Sequence, residues 1–211
     1  MSKLEAIKSA TDANPVDLFV AACEAVKEEP DNETARQEIS DLMDGVFAEV
    51  ASFWKGRPDK DRPSQSDIIF RVGALVHSFN EATSVLKRRL LWNAFWNSLK
   101  PEFYGEGISD ILWEKIQGLE HPDTVFLAKV IAETDPTKSG AIRGGPARDW
   151  RGDHRGNQLA IRASDAEAEY ADRLSRADLV DVAHSDNRSA VRLVSWTGLA
   201  PKIVAFVAPQ T

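Results

Sequence analysis

The chain has 211 residues, enough for one large domain or two small ones, and its 26 basic against 33 acidic side chains give a formal charge of −7. That balance excludes a protein that coats nucleic acid or an anionic membrane through bulk charge, so any such contact has to be local. A hydrophobic content of 43% beside 28% charged residues is that of a globular chain, and a single cysteine, Cys23, excludes an intrachain disulfide and a Cys-rich zinc site.

No apolar run approaches the roughly 20 residues that span a bilayer, and Met1-Ser2-Lys3-Leu4-Glu5 lacks the apolar core of a signal peptide, so a cytoplasmic protein is expected. Pro15 and Asp17 after Asn14 signal a first helix that stops near Pro30. A second begins at Asp31-Asn32 and repeats apolar residues at steps of three and four from Ile39 through Met43, Phe47 and Val50 to Trp54, which predicts one core-facing side. Gly56 and the polar run to Pro63 end it.

Ser64 and Asp67 read as a capping box opening the longest helix, expected to run from Asp67 to Leu99. Ile69, Val72, Val76, Phe79, Thr83, Leu86 and Leu90 form a heptad seam along it, to be covered by the second helix in an antiparallel bundle or by another copy of the chain in a homodimer. Trp92, Phe95 and Trp96 add a second apolar face, either sandwiched in a core or exposed as a protein-partner site. A short helix from Ile108 to Gly118 follows. Another starts at His121-Pro122-Asp123, with Val125, Phe126, Val130 and Ile131 expected to face inward.

The composition then changes. Residues 137–157 are rich in glycine and read as a long basic loop; between Arg143 and Arg162 the five arginines Arg143, Arg148, Arg151, Arg155 and Arg162 face only Asp149 and Asp153. Arginines spaced by glycine can reach phosphates, and Trp150 among them could stack on an unpaired base. A short alternating stretch at Leu159-Ala160-Ile161, a helix from Asp165 to Ala177 and a hairpin through Val180 and Leu193 come next, and Thr197 is placed to cap a closing helix. The expected fold is therefore mainly α: a helical bundle over 1–118, then an α+β unit over 119–211 with a short β-hairpin.

From His121 onward the order of elements resembles a winged helix-turn-helix unit, and the local text is similar to the end of a MarR-type repressor domain. The residues that carry the likeness are Ala171-Asp172-Arg173-Leu174, Leu179-Val180, Asp186-Asn187-Arg188-Ser189 and Leu193-Val194-Ser195-Trp196-Thr197. The resemblance implies a DNA contact in which Arg188 is the wing arginine, Ser164 stands near the start of the recognition helix, and Arg173 and Arg176 lie along it. This chain has its Gly-rich loop where the family has a second helix, and Asp165, Glu167, Glu169 and Asp172 give the recognition helix an acidic character. The middle block, Lys87-Arg88-Arg89, Asn93-Ala94, Asn97-Ser98 and His121-Pro122, also resembles uncharacterised bacterial helical proteins that place a winged-helix-like unit after such a helix.

Enzyme signatures are missing from the sequence. Lys138-Ser139-Gly140 has the wrong order for a P-loop, and His121, His154 and His184 have no second ligand at metal-binding spacing. Asp153-His154 and His184-Ser185-Asp186 are adjacent in the chain, but a triad is assembled in space on a rigid scaffold, and Arg151-Gly152-Asp153 matches an adhesion tripeptide by spelling alone. The expected function is a non-enzymatic regulator, without cofactor or metal, that touches nucleic acid through Arg143, Arg148, Trp150, Arg151, Arg155, Arg162 and Arg188. The alternative is an adaptor that binds another protein through Trp92, Phe95 and Trp96.

Overall fold

Capping and turn residues divide the polypeptide into short helices. A computed structural model describes residues 15–58, 61–82, 84–104, 107–134, 158–162, 165–184 and 191–209. In chain order the elements are α1 (Pro15–Glu28), α2 (Glu33–Phe53), α3 (Gln65–Glu81), α4 (Val85–Ser98), α5 (Ile108–Gln117), α6 (His121–Thr134), β1 (Leu159–Arg162), α7 (Ala166–Arg176), β2 (Val180–His184), β3 (Val191–Trp196) and α8 (Ala200–Phe206). The fold is mainly helical with a three-stranded antiparallel sheet toward the C-terminus, in the order β1-β3-β2.

Two compact units divide the described residues. The first belongs to Met1–Ala82 and Phe95–Glu106, the second to Thr83–Ala94 and Gly107–Thr211, so α4 gives its first ten residues to one and its last four to the other. The sequence places a single boundary at Gly118, ahead of the winged-helix-like order of elements that starts at His121, and an order of elements carries no information on which helices pack together.

In the first unit, Asn32 caps α2 by accepting a 3.0 Å bond from the Ala35 amide, and Gly56 at φ +82° supports the turn after its C-terminus. The capping box at α3 forms as expected: the Asp67 amide donates to Ser64 Oγ at 3.2 Å and the Ser64 amide to Asp67 Oδ2 at 3.0 Å. Trp54 Nε1 donates to the Leu99 carbonyl at 2.8 Å, the Trp54 and Tyr104 rings meet edge-on at 5.6 Å, and Tyr104 donates to Asp67 Oδ2 at 3.0 Å. This chain of contacts fastens the start of α3 and the end of α2 to the segment after α4.

The expected helix from Asp67 to Leu99 is two helices. Ala82 takes extended backbone with ψ 120°, and the Ser84 hydroxyl accepts a bond from the Lys87 amide at 3.0 Å, which opens α4 as a new helix. A serine three residues ahead of a free amide competes with helix continuation, and here it wins. The heptad seam is broken with it. The positions α3 buries are Ile68, Val72, Leu75, Ser78 and Phe79, while Ile69 and Leu86 are exposed.

In the second unit, Phe126, Leu127 and Val130 of α6 are buried and Val125 is exposed, one step around the helix from the expected inner face. β1 pairs with β3 (Leu159 opposite Val194) and β2 pairs with β3 (Val180 opposite Trp196), so the hairpin expected from sequence gains a third strand. Val180, Val194 and Ile161 share one face of that sheet by this register and are buried. Helix α7 ends in a Schellman turn with Asp178 at φ +57°: Leu179 N donates to the Leu174 carbonyl at 2.9 Å and Asp178 N to the Ser175 carbonyl at 3.0 Å. Thr197, expected to cap α8, instead donates its hydroxyl to the Asp178 carbonyl at 2.8 Å, and Leu199 holds the N-cap position without a side-chain bond.

Candidate functional site

The strip of α2 that the apolar spacing assigns to the core is only half covered. Ala35 and Val50 are buried, whereas Ile39, Leu42, Met43, Val46 and Phe47 are half-buried. The same holds for Phe19 and Cys23 on α1 and for Val76 on α3. An open cleft of about 460 Å³ in the first unit is lined by Phe19 and Cys23 of α1, Ile39, Met43 and Phe47 of α2, and Ile69, Val72, Gly73 and Val76 of α3. Its size is that of a site for a small ligand or a side-chain cluster, and no charged residue lines it.

Helix α3 explains how the cleft arises. Ile68, Ile69 and Phe70 are consecutive, so a helix cannot bury all three on one side. Ile68 goes into the core, and Ile69 and Phe70 remain 56% and 77% exposed. Gly73, one turn beyond Ile69, leaves the cleft wall open: a Cβ built there meets no atom within 4 Å. Cys23 is half-buried in this wall, and burial followed by the neighbouring Glu24 carboxylate pushes its thiol up from the ordinary range, which lowers the thiolate fraction and slows its reactions.

The second unit offers charge, most of it already engaged. The Arg173 guanidinium of α7 grips the fully buried Asp123 carboxylate of α6, Nε to Oδ1 at 2.9 Å and Nη2 to Oδ1 at 2.8 Å. Arg192 of β3 pairs with Asp172, and Lys129 of α6 pairs with Glu167 at 2.6 Å. These hydrogen-bonded carboxylates raise the affinity of Arg173, Arg192 and Lys129 for their protons. Three of the acidic residues on or against α7 are thereby neutralised within the unit. A second cleft, of about 440 Å³, is lined by Glu114, Lys115, Gly118, Arg173, Arg176 and Ala177, but Arg173 is committed to Asp123 and Lys115 lies 3.4 Å from Asp178.

Of the residues expected to touch nucleic acid, Arg143, Arg148, Trp150, Arg151, Arg155 and Arg188 lie outside the described residues, as do the glycine-rich segment, the hairpin tip and Ser164. Arg162 is described and is exposed at the end of the edge strand β1. The aromatic partner site does not form a surface. Phe95 and Trp96 are 1% and 9% exposed, and Trp96 packs edge-on to Phe53 at 6.0 Å and to Phe95 at 5.2 Å. Trp92 is half-buried. Large aromatic rings with neighbours to cover them go into the core, and Phe95 and Trp96 take that one of the two alternatives the sequence left open.

Sequence reasoning missed the cleft, although its signal was present: α1, α2 and α3 together carry more apolar positions than the buried ones (Ala21, Ala22, Ala35, Val50, Ile68, Val72, Leu75 and Phe79) account for. Among the described residues no three His, Cys, Asp or Glu side chains converge as metal ligands, and no helix is long and apolar enough to cross a membrane. No family model, no curated protein and no solved structure matches the chain.

Proposed function

We propose that the protein is a non-enzymatic, cytoplasmic adaptor that holds an apolar segment of a partner protein in the cleft between α1, α2 and α3. The observation that carries this reading is an uncharged, open cleft in whose lining Ile69 is 56% exposed. Exposed aliphatic and aromatic side chains beside a concave apolar wall cost hydration free energy in the free protein and regain it when covered. The test is protection of Cys23, the only thiol of the chain, from alkylation by N-ethylmaleimide. A helix-forming peptide of leucine and glutamine, apolar on one face and uncharged on the other, slows alkylation of the full chain, and Gly73→Trp, which fills the cleft, removes the effect. Unchanged alkylation at millimolar peptide rejects the adaptor reading.

Contact with nucleic acid is a second reading. It draws on the local excess of arginine in 143–162, on the winged-helix-like order of the C-terminal elements, and on Arg162 standing exposed at a sheet edge. Because Arg173 and Arg192 are held by carboxylates, affinity in this reading comes from the basic segment and the wing arginine Arg188, not from α7. Replacing Arg148, Arg151 and Arg155 by Ala then lowers the log–log salt slope of binding by up to about three units, while Arg176→Ala leaves it unchanged. Binding that depends on α7 and selects one duplex sequence would restore the MarR-like mode.

A further inference from the structure

The charge of this protein is not spread evenly. Helices α1, α2 and α3 carry ten acidic residues (Asp17, Glu24, Glu28, Glu33, Glu38, Asp41, Asp44, Glu49, Asp67 and Glu81) against three basic ones (Lys27, Arg36 and Arg71). Their balance of −7 equals that of the entire chain, so the rest of the protein is neutral in sum. The helices that bear this charge are the ones that form the apolar cleft.

Glu24 follows Cys23 directly on α1, and Asp44 follows Met43 directly on α2; both carboxylates are on exposed residues one helical step from side chains that line the cleft. An apolar cleft formed by helices with this excess of carboxylates attracts a ligand of the opposite pattern. Coulomb attraction between an exposed rim and its partner acts mainly on approach and on choice of partner, while burial of the apolar stripe supplies the affinity.

We infer that the occupant of the cleft is a basic amphipathic helix of a partner protein, with leucine-like side chains at i, i+3 and i+4 on the floor and Lys or Arg against Glu24, Asp44 and their neighbours. The inference rests on the adaptor reading above and adds to it the chemical class of the partner. A helix fits because three helices set the walls, and another placed in the groove repeats the packing of α1 on α2. The opening at Gly73 gives room for one large side chain of that helix, since nothing stands within 4 Å of where a Cβ would be.

Three synthetic 18-residue peptides with the same leucine stripe and Lys, Gln or Glu on the polar face test this on the full chain, read by Cys23 protection and by fluorescence anisotropy of a labelled peptide. The Lys peptide binds about tenfold more tightly than the Gln peptide and the Glu peptide more weakly still, with the spread narrowing at high salt. Gly73→Trp abolishes binding of the Lys peptide, and the double change Glu24→Lys with Asp44→Lys removes its advantage over the Gln peptide while melting confirms the fold. Equal binding of the three peptides overturns the basic partner and leaves the adaptor reading standing. No binding by any of them overturns both. Lys-peptide binding that survives Gly73→Trp is attraction to the acidic surface alone and overturns the inference, as does concentration-dependent protection of Cys23 without peptide, which marks a second copy of the chain as the occupant.

Discussion

Arg173 closes on Asp123 with two guanidinium nitrogens, and the same carboxylate accepts a 2.7 Å bond from the Glu120 amide at the start of α6. One buried aspartate therefore caps its own helix and anchors α7, fifty residues further along the chain. The Arg173 guanidinium also lies 5.2 Å from the centre of the Tyr170 ring, which in turn approaches Phe126. Arginine at this position of a candidate recognition helix reads as a phosphate contact in sequence and is a structural tie in the fold.

Removing one partner leaves the other uncompensated, and for a carboxylate with no exposure that is the costly outcome. We expect Arg173→Ala to destabilise the second unit by about 3 kcal/mol and Asp123→Ala by at least as much, in urea melts. A double-mutant cycle gives a coupling of more than about 1 kcal/mol. Additive losses would show that the pair contributes nothing beyond packing.

Lys87 makes the equivalent tie at the end of α5. Its ammonium is buried and donates to the carbonyls of Ile116 at 2.7 Å and Gln117 at 3.0 Å, and to that of Leu119. The Ile116 carbonyl also accepts from the Leu119 amide at 3.2 Å, whereas that of Gln117 ends the helix beyond the reach of its amides. Lys87→Met keeps the length and apolar stem but removes the ammonium from all three carbonyls, and is expected to cost about 2–4 kcal/mol, with amides of Leu112 to Leu119 losing hydrogen-exchange protection first.

Asp178 holds the left-handed position of the Schellman turn that ends α7, with φ +57°. A residue with a Cβ is strained there and glycine is not. Asp178→Gly is expected to raise stability by up to about 1 kcal/mol, reduced by the loss of its exposed contact with Lys115. A lowered melting temperature would mean that the aspartate side chain matters more than the backbone.

The capping box of α3 sets an acid limit on the first unit. Hydrogen bonds from Ser64, first its side chain and then its backbone, with a smaller contribution from Tyr104, hold the Asp67 carboxyl below the ordinary range. Since the folded value lies below the unfolded one, the unfolded chain binds the proton first. The stabilisation is complete above the unfolded value of about 3.9 and is lost as pH falls through the folded one. Ser64→Ala costs about 1 kcal/mol at neutral pH, and Asp67→Asn removes this step from the acid melting curve.

Phe79 and Ile69 separate the two faces of α3. Phe79→Ala in the core is expected to cost about 3–4 kcal/mol, and Ile69→Ala at the lip of the cleft less than about 1 kcal/mol. Equal losses would mean that Ile69 is covered in solution, as a dimer along the expected seam requires.

Local signals of one or two residues were legible without a structure: the Ser64–Asp67 box, the start of α2 at Asn32, the hairpin of β2 and β3, and the mainly helical class. Each depends on backbone chemistry within a few positions, which the sequence states directly. The choice between faces is different in kind. Ile68-Ile69-Phe70 offers an apolar stripe in two registers of the same helix, and the break at Ala82–Ser84 removed the continuous seam that favoured Ile69. Phe95 and Trp96 could cover a core or present a surface, and only the position of Phe53 and its neighbours put them in the core. By itself the sequence determined the capped helix starts at Asn32 and Ser64 and how much charge each segment carries, because capping and composition are local, but it did not show the break at Ala82 or the N-cap of α8. Which apolar face is left uncovered, and which arginine is spent on a carboxylate fifty residues away, was decided by tertiary packing, because both depend on partners that sequence distance does not reveal.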